Sequence, residues 1–313
     1  MTRAFIFPGQ GAQAVGMGKA LADAYPAAKA VFDEVDDALG EALSALIWEG
    51  DQETLTLTEN AQPALMATSL AAMAALQAEG VTVATASFVA GHSLGEYSAL
   101  AAAGAMSIAD TARLLRTRGL AMQAAVPVGE GAMAALLGLD FETATAVAKE
   151  AASGREVCTA ANDNDPAQVV VSGSKAAVER AVEIAKGKGA KRAVMLPVSA
   201  PFHCKLMSPA AGRMAEALAE VDIARPKVPL VANVLAHDVS DPATIRSLLV
   251  EQVTHSVRWR ESVAWMSAHG VTETWEIGAG KALSGMVRRI NREIAVRNVG
   301  TPDDVVAAAA SLG

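Results

Sequence analysis

Gly91-His92-Ser93-Leu94-Gly95 matches Gly-x-Ser-x-Gly, and a serine so placed can act as a nucleophile. The chemistry needs a hydroxyl that projects from a sharp turn between a strand and a helix. Such a turn brings backbone segments too close for a Cβ, so its flanking positions must be small. The free N–H groups and positive dipole end of the following helix then lie beside the hydroxyl, where they can stabilise an oxyanion. At average glycine and serine usage a chain of this length holds only about 0.1 such pentapeptide by chance. A helix-capping serine in a glycine-rich turn would leave the same letters. The apolar segment 87–90 before it and the Ala/Leu-rich segment 94–103 after it favour the nucleophile.

A serine nucleophile needs a proton acceptor, most often histidine. The chain has five. His92 lies inside the turn and would point away from Ser93 along the strand. His269 precedes Gly270 at a helix C-terminus, where a dipole-capping role suffices. His237 and His255 have polar loop neighbours and read as surface residues. His203 follows Ser199-Ala200-Pro201-Phe202 and is the best-placed base. A satisfied, half-buried structural histidine is the other reading of it.

These groups need a scaffold. The chain has 313 residues, length enough for one large domain or two. Although 52% of it is hydrophobic, it has no uninterrupted apolar run of 18 residues. Alanine-rich packed helices fit this better than membrane spans. The apolar part of the N-terminus is too short for a signal peptide. Two cysteines, Cys158 and Cys204, make no disulfide framework, and a cytoplasmic setting is expected. A formal net charge of -8 argues against general nucleic-acid binding. No Cys-x-x-Cys or His-Glu-x-x-His occurs, so no metal site is expected.

Residues 4–7 read as a first buried strand ending in Pro8-Gly9-Gln10-Gly11. That loop is either a plain turn or one that brings Gln10 and its N–H groups to the site. Val31, Phe32, Val35 and Leu39 share one helical face. Met66, Leu70, Met73 and Leu76 share another, on a helix expected to open near Gln62-Pro63 and stop at Gly80. Ser107-Ile108-Ala109-Asp110 is a capping-box-like start to a helix reaching about residue 125, with Arg113, Arg116 and Arg118 on it. Arg113 and Arg116 are neighbours on the wheel, and Arg118 points elsewhere.

Pro127-Val128-Gly129 breaks the pattern. Strand 132–137, helix 141–151, strands 157–160 and 168–171, helix 176–186 and strand 193–196 follow. That βαββαβ order is ferredoxin-like. The core then resumes with helix 204–220, strand 228–233, helices 245–253 and 259–268, strand 272–277, helix 281–290 and strand 295–299. The expected fold class is α/β, with a large α/β-hydrolase-like core over residues 1–127 and 199–313. Its sheet should be mainly parallel. Residues 128–198 form the inserted ferredoxin-like small subdomain, and a cleft belongs at the junction.

Phe7-Pro8-Gly9-Gln10-Gly11, Gly91-His92-Ser93-Leu94-Gly95-Glu96-Tyr97, Arg118, Pro201-Phe202-His203 and Val257-Arg258-Trp259 occur in this order. Together they resemble the malonyl-CoA:acyl carrier protein transacylases of fatty-acid or polyketide synthesis, over essentially the whole chain. The resemblance implies Ser93 as nucleophile and His203 as base. It implies the Gln252 backbone carbonyl as the group orienting that base, in place of an acid. It assigns the oxyanion hole to the N–H groups of Gln10 and Leu94. Arg118 would hold the malonyl carboxylate as a bidentate pair. Phe202 takes the place of a bulky ring in malonyl-selective relatives, and Gln62 lines the same pocket. One departure is His255-Ser256, where relatives often carry Asn-Pro. The implied reaction passes through a malonyl-serine ester and needs no cofactor beyond the substrates, malonyl-CoA and phosphopantetheinylated acyl carrier protein. The expected partner is that carrier protein, with no nucleic acid and no membrane, and the chain is expected to act as a monomer. Two basic clusters could dock the acidic carrier: Lys186, Lys188, Lys191 and Arg192, or Arg288, Arg289 and Arg292. A serine thioesterase or other hydrolase with the same Ser–His pair is the alternative.

Overall fold

The computed structural model describes residues 2–198 and 200–312. Ten strands run as β1 Arg3–Phe7, β2 Phe88–Gly91, β3 Gly131–Leu137, β4 Cys158–Asp165, β5 Gln168–Ser174, β6 Arg192–Met195, β7 Leu230–Val231, β8 Asp238–Val239, β9 Glu273–Ile277 and β10 Ala295–Val299. The helices are α1 Lys19–Ala24, α2 Pro26–Leu39, α3 Leu43–Glu49, α4 Gln52–Thr56, α5 Thr58–Ala78, α6 Gly95–Ala102 and α7 Ile108–Ala124. They continue as α8 Phe141–Ala151, α9 Lys175–Gly187, α10 Ser208–Ala219, α11 Pro242–Gln252, α12 Trp259–Ala268, α13 Ala282–Ile290 and α14 Pro302–Ala310.

Two sheets divide the strands. The larger has the order β10-β9-β1-β2-β7-β8, parallel except for β8, which runs against β7. Its central strand β1 is buried at all five positions because helices cover both faces. The smaller sheet, β4-β5-β3-β6, is antiparallel throughout and is backed by α8 and α9 around its own apolar cluster. The α/β class and the mainly parallel large sheet agree with the sequence reading. So does the βαββαβ order of the small one.

Several bounds differ from expectation, each for a physical reason. Helix α5 opens at Thr58, so Pro63 stands in its interior rather than its first turn. Proline is tolerated most easily in a first turn, and that preference drew the expected start too late. The segment after His203 is not helical from Cys204. His203 has φ 57° and Cys204 is extended, so α10 starts only at Ser208, where Pro209 fits the first turn. Strand β7 stops at Val231, because the chain then turns to aim Asn233 at the turn that carries Ser93. Strand β4 runs on to Asp165 through Asn162-Asp163-Asn164-Asp165, which has no apolar alternation to betray it.

That polar end of β4 is buried because it is partnered across the junction of the two sheets. Arg260 Nε donates to Asp163 at 2.9 Å and Arg289 Nε to Asp165 at 2.7 Å. Val257 N–H donates to the Ala161 carbonyl, and Asp163 N–H to the Val257 carbonyl. Ser256, at the departure from the family pattern, donates to the Ala160 carbonyl at 2.5 Å. The small sheet is therefore fastened to the core along this edge.

Candidate active site

Ser93 sits between β2 and α6 with φ 54°, a left-handed conformation that costs a non-glycine residue roughly 1–3 kcal/mol. Close packing holds it there. A Cβ on Gly91 would lie 1.9 Å from the Gly95 carbonyl, and one on Gly95 would lie 2.2 Å from the Phe7 carbonyl oxygen. Both positions must be glycine. Asn233 clamps the turn from the opposite side: its Oδ1 accepts from Ser93 N–H at 2.8 Å, and its Nδ2 donates to the Gly91 carbonyl at 2.6 Å.

Ser93 Oγ and His203 Nε2 are 2.7 Å apart. His203 Nδ1 lies 2.9 Å from the Gln252 carbonyl oxygen. A carbonyl only accepts, so Nδ1 carries the proton and Nε2 presents its lone pair to the serine hydroxyl. His203 is buried, and burial, with the nearby Arg118 cation, pushes its pKa down to about 3. The imidazole is thus neutral and able to take a proton at neutral pH.

Arg118 is 1% exposed on α7. Its guanidinium donates to Gln62 Oε1 at 2.7 Å, to Gln252 Oε1 at 2.8 Å and to Ser93 Oγ at 3.2 Å. It also stands over the Tyr97 ring. By contrast Arg113 pairs with Asp110, and Arg116 reaches Asn60 and Glu41. Of the three, Arg118 faces Ser93. Burial lowers its pKa, and the neighbouring Tyr97 and Glu96 oppose that shift.

Gln62 Nε2 donates to Thr58 Oγ1, which in turn donates to Gln10 Oε1, both at 3.0 Å. This chain joins the start of α5 to the loop after β1. That loop lies against the nucleophile turn, since a Cβ on Gly9 would come 2.6 Å from the His92 carbonyl. Leu94 is the residue that caps α6, so its N–H belongs to the unsatisfied positive end of the helix. Phe202 is half-buried and packs against apolar clusters of both sheets, at their junction.

The remaining histidines have other partners. His92 Nε2 bonds Asn164 of β4 at 2.8 Å, and burial lowers its pKa. His269 caps α12 through the Trp265 carbonyl at 2.8 Å. His237 and His255 are exposed. Sequence reasoning missed Asn233, Asn164 and Glu96 as members of the site. Asn233 is separated from Ser93 by 140 residues and carries no local signal. Glu96, however, stands in the quoted motif, directly after Gly95. Among the described residues no group of three or more His, Cys, Asp or Glu side chains could hold a metal ion.

Residues 4–298 match the acyl transferase domain family. A malonyl CoA-acyl carrier protein transacylase of Bacillus subtilis (strain 168) is 48% identical over 309 residues, covering 99% of this chain and 96% of that protein. The solved acyl-carrier-protein-S-malonyltransferase of Bartonella henselae is 56% identical, with a TM-score of 0.97 and full coverage of both chains. A solved complex of a type II PKS acyl-carrier protein with its malonyl-transacylase matches at 41% identity and a TM-score of 0.96, covering 99% of this chain and 100% of that one. A match of this extent covers both sheets and every residue of the Ser93 site, and the chain belongs to the acyl transferase domain family.

Proposed function

We propose that this enzyme moves a malonyl group from malonyl-CoA to the phosphopantetheine thiol of acyl carrier protein, through an ester on Ser93. The reading is carried by a buried cation aimed at the nucleophile: Arg118 lies 3.2 Å from Ser93 Oγ, where it can pair with an acyl group that ends in a carboxylate. The names of the full-length relatives support it.

In the first half-reaction Ser93 Oγ attacks the thioester carbonyl and His203 Nε2 takes the hydroxyl proton. The N–H groups of Gln10 and Leu94 receive the oxyanion. The tetrahedral intermediate collapses, the C–S bond breaks, and His203 returns the proton to the CoA sulfur. The second half-reaction reverses these steps, with the carrier's thiol attacking the ester and Ser93 recovering its proton. The Gln252 carbonyl keeps His203 in the required tautomer throughout. Gln62 steadies Arg118, and Phe202 borders the acyl site.

No step calls on a cofactor, and we read the enzyme as working without one and as a monomer. Cys158 and Cys204 are both unpaired thiols, in keeping with a reducing cytoplasm. The net charge of -8 speaks against nucleic acid as a partner. No described helix is long and apolar enough to cross a membrane. Residues 128–198 would be the inserted subdomain and 1–127 with 199–313 the core, in line with the separate sheet and cluster of β3 to β6. The boundary residue Ser199 and the end residues Met1 and Gly313 lie outside the described residues.

Intact-protein mass spectrometry after brief exposure to malonyl-CoA tests the reading. A malonyl adduct is expected on Ser93, absent in Ser93→Ala and discharged by carrier protein. His203→Ala should slow transfer by roughly 10²–10⁴-fold. An adduct elsewhere, or faster loss to water than to carrier protein, would point instead to a different nucleophile or to a hydrolase.

A further inference from the structure

Glu96 is a carboxylate that the reaction above does not use. It is 1% exposed on α6, three residues after the nucleophile. A buried acid is retained only where donors replace the lost water. Here Gln252 Nε2 donates to Oε2 at 2.5 Å and Asn233 N–H to Oε1 at 3.4 Å. Arg118, from α7, is the cation that faces it, Tyr97 adjoins it on α6, and His203 approaches Gln252 from the loop after β6.

Gln252 is the point where the site's contacts converge. Its amide nitrogen donates to Glu96 and to the Ser93 carbonyl at 2.9 Å, which uses both protons. Its amide oxygen accepts from Arg118, and its backbone carbonyl accepts from His203. An amide can sit either way round, and its partners decide which. An ionised carboxylate only accepts, so Glu96 holds the nitrogen toward itself and the oxygen toward Arg118. The reverse orientation would set the amide N–H groups against the guanidinium.

We propose that Glu96 is a positioning residue for acyl-group recognition: through the Gln252 amide it holds the Arg118 guanidinium toward Ser93 and balances its charge. This rests on the reading of Arg118 as the carboxylate clamp. Burial works against the ionised form and raises Glu96 to about 7, with Gln252, Asn233 and Arg118 opposing it, so the carboxylate this role needs is present only above that pH, whereas burial holds His203 near 3. Below about pH 7 Glu96 takes up a proton and ceases to be a pure acceptor, while the base is still neutral.

The test compares acylation by malonyl-CoA and acetyl-CoA in wild type, Glu96→Gln, Gln252→Met and Arg118→Ala. A glutamine at 96 has one acceptor for the two donors that now share the carboxylate. In Glu96→Gln, kcat/KM for malonyl-CoA should fall about tenfold, the usual scale for one hydrogen bond to a charged group, with acetyl-CoA within about twofold. Wild-type kcat/KM for malonyl-CoA should decline as pH falls through about 7, and that limb should vanish in Glu96→Gln. Equal losses on both substrates, or an unchanged limb, would overturn the proposal. Should Glu96→Gln fail to fold, Gln252→Met keeps the backbone carbonyl but removes the amide, and must shift selectivity the same way. If it does not, the proposal fails. Arg118→Ala separates the two readings. Equal loss of malonyl and acetyl transfer there defeats the clamp itself, and selective loss there without selectivity in Glu96→Gln defeats only the part given to Glu96.

Discussion

At the scale of single residues, the proposed reaction assigns selectivity to Arg118 and Phe202. A malonyl group differs from acetyl by one carboxylate and from methylmalonyl by one methyl. If Arg118 pairs with the malonyl carboxylate, removing it leaves the substrate's charge unpaired, which costs roughly 2–5 kcal/mol by the measure of truncated buried pairs. The same change lifts the burden of a buried cation beside uncharged acyl groups. Arg118→Ala should therefore lower kcat/KM for malonyl-CoA steeply and make acetyl-CoA relatively better. Phe202 stands at the junction of both apolar clusters, one residue before His203. A methyl is worth about 1–3 kcal/mol of discrimination, so Phe202→Ser should relax the preference against methylmalonyl-CoA without inverting it. Specificity constants for the three thioesters decide both points.

The strand–turn–helix unit of β2, Ser93 and α6 shows what close packing demands of an element. Its left-handed serine survives because Gly91 and Gly95 let the backbone close and Asn233 ties the turn to the loop after β7. Gly95→Ala would drive a Cβ to 2.2 Å from the Phe7 carbonyl oxygen, with backbone on both sides and no side chain able to yield. The expected result is loss of acylation and destabilisation of at least about 3 kcal/mol, the upper range for overpacking, read by thermal or urea unfolding. Gly212 offers the contrast. It lies exposed in the middle of α10, where a Cβ would meet nothing within 4 Å. Gly212→Ala should stabilise the protein by about 0.5–1 kcal/mol and leave acylation intact, since alanine removes freedom from the unfolded chain alone.

For the molecule as a whole, charge poses the main question. The chain carries a formal charge of -8, and a carrier protein that is also acidic must be met by a local cationic surface. Each basic cluster is partly answered by its own ion pairs. Lys186 pairs with Glu183 and Lys188 with Glu150, both at the surface. Arg289 pairs with Asp165, while Lys191, Arg192, Arg288 and Arg292 have no ion pair among the described residues. Reversal of Arg288 and Arg292 to glutamate should raise the apparent KM for carrier protein several-fold and leave acylation by malonyl-CoA unchanged. Reversal of Lys186 and Lys188 should do less. Equal KM values across wild type and both variants would rule out these four residues as the docking surface, and the effect should shrink as salt rises.

Local order was legible in the residues because local order rests on local physics. Glycines flanking a serine between an apolar strand and a helix can only be a tight turn, and the βαββαβ pattern follows from periodicity within each segment. Even the missed helix α14 carries a local sign, the Thr301-Pro302-Asp303-Asp304 capping box. What the tertiary structure alone decided was every contact between distant segments. Asn233 reaches Ser93 across 140 residues, and Gln252 reaches Glu96 across 156. The polar end of β4 reads as a loop until Arg260, Arg289 and His92 come to meet it. Buried polar groups are stable only with partners, and those partners are chosen by how the two sheets pack, not by spacing along the chain. Ser93 could be singled out from its neighbours in sequence, whereas the network that holds His203 and Arg118 beside it exists only in the fold.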